Sequence, residues 1–156
     1  MSKLSVKASS RIALNTRLLA IAIGIFFLTI NLRAELLFQN ILVIQLVMSI
    51  PLFLTSTLSY SKIGYRSKVE RWDTLGWVTF IFGYAFILNV IGILIGKTIS
   101  LEISIIFFIF SWILTLIYSS VEISYNRSAI KERLTKDTLF IIIQFILGLM
   151  VVLGFF

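Results

Sequence analysis

The chain has 156 residues, of which 59% are hydrophobic and only 13% charged, with a net charge of +7. Soluble domains run nearer roughly 45–50% apolar and about 25% charged, so a water-soluble core is excluded and a bilayer is the implied solvent. The absence of His and Cys removes disulfides, thiolate nucleophiles, Cys/His zinc sites, Cys-held clusters and imidazole acid–base catalysis.

Residues 1–17 carry Lys3, Lys7, Arg11 and Arg17 and no acid, and an apolar run follows over 18–32. That run ends in Asn31-Leu32-Arg33-Ala34-Glu35, a poor small-x-small cleavage site, so it reads as an uncleaved first span. Residues 33–35 are the whole connection to a second span over 36–58, which forces an antiparallel helical hairpin. Pro51 lies inside that span and is expected to kink or locally open it.

A polar connection over 61–73 holds Lys62, Arg66, Lys68 and Arg71 against Glu70 and Asp73. The third span is expected over 74–95. Asp73 has the chemistry of an N-cap, and Trp72 and Trp77 have the N′ and N4 spacing of a hydrophobic staple. A short link bearing Lys97 leads to a fourth span over 101–118. The next connection, 119–138, holds Arg127, Lys131, Arg133 and Lys136 against Glu122, Glu132 and Asp137. Ile130 and Leu134 within it suggest one or two interfacial helical turns. The fifth span is expected over 139–156. The fold class is therefore all-α: one polytopic transmembrane domain of about five helices.

Charge gives the expected orientation. The N-terminus and the second and fourth connections hold twelve of the fourteen Lys and Arg residues, leaving Arg33 and Lys97 on the other side. Basic residues favour the cytoplasmic side, so the N-terminus is expected inside and the C-terminus outside. Topology accounts for the positive charge without nucleic acid. Two clusters are also candidates for anionic lipid headgroups: Arg66, Lys68 and Arg71, and Lys131, Arg133 and Lys136. The absence of a transit-like or cleavable leader fits a prokaryotic plasma membrane.

In lipid, small residues and interhelical hydrogen bonds mark the packed faces. Ala20 and Gly24 in the first span, and Ala85, Asn89, Gly92 and Gly96 in the third, form such stripes, the last pair being a GxxxG. These are the expected packing or partner interface. Gln45, Ser49, Asn89 and Gln144 are the candidates for a polar cavity beside Pro51. Enzyme chemistry is not expected. Glu35 and Glu102 sit beside Arg33 and Lys97, which makes ion pairs the simpler reading, and no spacing resembles a metal, cofactor or phosphate motif. The charged residues all fall at expected span ends or in connections, which weighs against a pump. Two functions remain: a non-catalytic subunit or accessory component of a larger membrane assembly, partnered by other subunits or itself, and a small homo-oligomeric channel or transporter for an ion or small solute.

Overall fold

The computed structural model describes residues 3–32, 40–63 and 69–155. Its five long helices are α1 (Lys3–Leu32), α2 (Asn40–Lys62), α3 (Val69–Thr98), α4 (Leu101–Tyr125) and α5 (Ile130–Gln144). A 3-10 turn, Arg127–Ala129, precedes α5, which continues through a π-helical stretch, Phe145–Leu149, into a last α turn, Met150–Val152. There is no strand among the described residues. Five segments are long and apolar enough to cross a membrane: Ala8–Asn31, Ile41–Lys62, Val69–Thr98, Leu101–Tyr125 and Ile130–Val152. The chain is an integral, multi-pass membrane protein.

The helices overrun the expected spans because polar residues extend them. α1 starts at Lys3, and its buried positions Ala8, Asn15, Ala22 and Thr29 recur every seven residues through both the basic lead-in and the apolar run. α3 begins at Val69, so Trp72 and Asp73 lie inside the helix and the expected Asp73 cap and Trp72/Trp77 staple do not form. Glu70 instead supplies negative charge to the first turn, where the helix dipole favours it. α2 remains helical through Pro51, whose side faces outward. α5 starts at Ile130, well before the expected boundary, with a Lys136–Glu132 ion pair one turn apart on its polar first half.

The chain divides into two compact units, Met1–Ile87 and Leu88–Phe156, with the boundary inside α3. In the first, α2 buries Leu42, Leu46, Ser49, Phe53, Ser56 and Tyr60, an alternating spacing of four and three. That spacing, beside the seven-residue repeat of α1, is the pattern that favours a left-handed helical pair. The second unit takes the C-terminal part of α3 together with α4 and α5. Only Ile99 and Ser100 separate α3 from α4. Ser100 is extended (φ −161°, ψ 154°), and its side chain accepts from the Ile103 N–H at 3.2 Å. This cap lets the chain reverse without orphaning the first amide groups of α4. The last turn closes as a Schellman motif: Gly154 adopts φ +83°, its N–H bonds the Val151 carbonyl, and the Phe155 N–H bonds that of Met150.

Replacing Ser100 with Ala should destabilise the second unit by about 1 kcal/mol. Chemical unfolding of the detergent-solubilised protein measures this, and an unchanged midpoint would show that the turn holds without its cap.

Candidate functional site

The polar residues at membrane depth are the natural place to look for function, because each must find a partner inside the protein. In the first unit they link three helices in a relay. The Asn15 side-chain amide donates to Ser56 Oγ at 2.9 Å, and Ser56 Oγ donates to the Gly76 carbonyl at 2.7 Å. Asn15 and Ser56 are fully buried. One turn beyond Ser56, the Tyr60 ring covers Gly76: a Cβ built there would lie 3.0 Å from the ring. Seven residues along α3, a Cβ at Gly83 would lie 3.2 Å from the Phe53 ring, and Phe53 precedes Tyr60 by seven. Aromatic side chains of α2 thus fill the hollows left by two glycines of α3.

The second unit repeats that contact with other residues. Ser104 Oγ donates to the Gly92 carbonyl at 2.7 Å, and one turn further on Phe108 is fully buried against the same glycine. A Cβ at Gly92 would overlap the Phe108 ring, and one at Gly148 would come within 2.6 Å of it. In each unit, then, a Ser and an aromatic residue four positions later close on one glycine of α3. The reason is geometric. A glycine lets a hydroxyl reach its carbonyl, which already accepts a helical bond but keeps a second lone pair.

The deeper polar groups of this unit are held more loosely. The Asn89 amide donates to the Ile143 carbonyl at 3.4 Å, and Ser111 Oγ donates to Gln144 Oε1 at 3.4 Å, both long contacts. Gln144 immediately precedes the π-helical stretch that contains Gly148. Such stretches mark places where helical packing is under strain or in use. The Gln144 Nε2 and Trp112 Nε1 donors are buried without a hydrogen-bond partner.

The other expected site residues fall into distinct settings. Ala85 is fully buried in the first unit; Asn89, Gly92 and Gly96 belong to the second, where Gly96 lies against Ser104 and Val152. The GxxxG therefore meets α4 and the end of α5 within its own chain. Ala20 is exposed, and nothing lies within 4 Å of a Cβ at Gly24. Gln45 and Ser49 are buried in the first unit, with Ser49 Oγ bonded to the Leu46 carbonyl at 2.7 Å. Arg71 is exposed beside an open groove of about 470 Å³ lined by Glu70, Thr74, Leu75 and Val78 of the same helix. Arg66 and Lys68 lie outside the described residues. In the second basic cluster, Lys136 pairs with Glu132 and Arg133 with Glu122 at 2.5 Å, and Lys131 is exposed. The Arg133 guanidinium also sits 5.2 Å from the centroid of the Tyr118 ring.

No family model matches the chain, and no curated protein or solved structure matches it either. Among the described residues no group of three or more Asp or Glu side chains is placed to hold a metal ion. The arrangement is suited to holding helices together.

Two mutational outcomes follow from this geometry. Gly92→Ala should destabilise the second unit by about 1–3 kcal/mol through overpacking, and Phe108→Leu in the same chain should restore part of the loss; unfolding midpoints of the three variants decide. In the first unit, a double-mutant cycle of Asn15→Leu and Ser56→Ala should give a coupling of about 0.6 kcal/mol, the average for such bonds in membranes. A coupling of zero would mean that the relay does not hold α1 to α2.

Proposed function

We propose that this protein is a non-catalytic component of a larger membrane assembly, contributing helices and surface and performing no reaction itself. The observation that carries this reading is the use made of the interior. Serines and glycines of the interior are engaged within the same chain: Ser56 and Tyr60 on Gly76, Ser104 and Phe108 on Gly92. What is left open is a face of α1 where Ala13, Thr16 and Ala20 are exposed and Gly24 has nothing against it. Small residues on a lipid-facing helix allow a second helix to approach closely. The basic residues then supply the orientation, with the N-terminus on the cytoplasmic side.

A homo-oligomeric pore would need Asn89, Gln45 and Gln144 to line water. All three are buried within their own units, which weighs against that reading.

Extraction in a mild detergent or polymer disc, followed by native mass measurement, tests the proposal. Other polypeptides in fixed stoichiometry are the expected result. Gly24→Leu should release them while leaving the unfolding midpoint of the isolated protein unchanged, because the added side chain meets no neighbour. A monomer, or a closed ring of this chain alone, would sink the proposal.

A further inference from the structure

The first half of α5 was expected to be a connection, and its charged residues to lie outside the membrane. One of them is buried within the protein. Asp137 is in the second turn of α5 and only 9% exposed. A carboxylate buried inside a bundle of apolar helices is a candidate functional residue.

Two pairs set the register of α4 against α5. Glu122 meets Arg133, and Ser111 meets Gln144, eleven residues further along each helix. Between those pairs, Ser119 of α4 falls level with Lys136 and Asp137 of α5. Ser119 is 3% exposed, and neither its Oγ nor Asp137 Oδ2 has a hydrogen-bond partner. The hydroxyl is out of pattern for its surroundings. Thr115, Ser120 and Ser124 on α4, and Thr135 on α5, all donate to a carbonyl one turn back on their own helix. Ser119 does not.

The charge around this point is also incomplete. The charged and titratable groups near this end of the seam are Tyr118 and Glu122 on α4 and Arg133 and Lys136 on α5, with Glu132 on the exposed face of α5. Arg133 is engaged by Glu122 and Tyr118, and Lys136 by Glu132. Among the described residues Asp137 forms no ion pair. A buried carboxylate without a counter-charge is costly. A counter-charge for so buried a group is more readily a small ion than the long basic side chain of a partner.

We propose that Asp137 and Ser119 bind one monovalent alkali cation in the seam between α4 and α5. Two hard oxygens, one of them anionic, suit such an ion with water completing its shell. A divalent ion would call for further carboxylates, and Glu122, at this end of the seam, is held by Arg133. Bound there, the cation ties α4 to α5 between the Arg133–Glu122 pair and Ser111–Gln144.

The test uses the purified full-length protein in lipid discs, with thermal unfolding followed at constant ionic strength in lithium, sodium or potassium chloride against N-methyl-D-glucamine chloride. A saturable rise of the midpoint with at least one alkali ion and none with the organic cation is expected, since a ligand of the folded state stabilises it. Asp137→Asn should abolish the rise, and Ser119→Ala should raise the half-saturating concentration about tenfold, the loss of one bond to a charged partner. Glu132→Gln, on the exposed face, should leave the response intact. Equal midpoints in all four salts, or an undiminished response in Asp137→Asn, would overturn the proposal. Should Asp137→Asn not fold, Ser119→Ala decides: an unchanged half-saturating concentration overturns it, and a raised one supports it.

Discussion

Within a bilayer, helices gain little by exchanging lipid contacts for one another's leucines, so they hold together where their backbones can come close. In this protein the close approaches are made by aromatic rings lying on glycines: Tyr60 on Gly76, Phe53 on Gly83, and Phe108 between Gly92 and Gly148. Each ring replaces a void that lipid tails would fill badly, and each glycine exposes a carbonyl that a serine can reach. Three of the four glycines belong to α3, the helix in which the two units meet end to end in sequence. Around the boundary, Gly83, Ala85, Ile87 and Asn89 are buried at alternate residues.

The serine bonds depend on the same glycines. Ser56 and Ser104 are the serines that donate across to a different helix's backbone, and both end on a glycine carbonyl at 2.7 Å. Other hydroxyls, such as Thr79, Thr98 and Thr115, turn back on their own helices. A hydroxyl that bonds its own helix satisfies itself without joining anything. Polar residue type therefore says little about assembly in this chain. What matters is whether a glycine stands opposite.

That distinction explains what the sequence revealed. The five apolar segments are legible because their length and lack of charge leave a bilayer as the only solvent. Buried Gln45, Ser49, Asn89 and Gln144 are legible for the same reason, since polar groups on such helices turn away from lipid. The GxxxG of Gly92 and Gly96 is legible as a packing face, but its counterpart is not: Phe108 and Ser104 supply it from the same chain. Gly76 and Gly83 carry the equivalent role without the motif. Their signal is a seven-residue spacing matched by Phe53 and Tyr60 on α2, which shows only when two helices are compared. Asn15 lies in a segment whose four basic residues suggest an exposed leader, although Ala8, Ala22 and Thr29 continue its period into the apolar run.

The helix ends were harder to read for a related reason. Charged residues mark where a helix leaves the hydrocarbon, whereas the helix itself stops where its hydrogen bonds are capped. α3 continues outward past Asp73 to Val69, and α5 begins seven residues before Asp137. Asp137 shares its segment with Glu132, Arg133 and Lys136, and composition alone groups the four together. Their side chains part ways only through helical geometry, which leaves Glu132 exposed and Asp137 buried. The residue that most resembles a loop charge by neighbourhood is, by its face of the helix, an interior one.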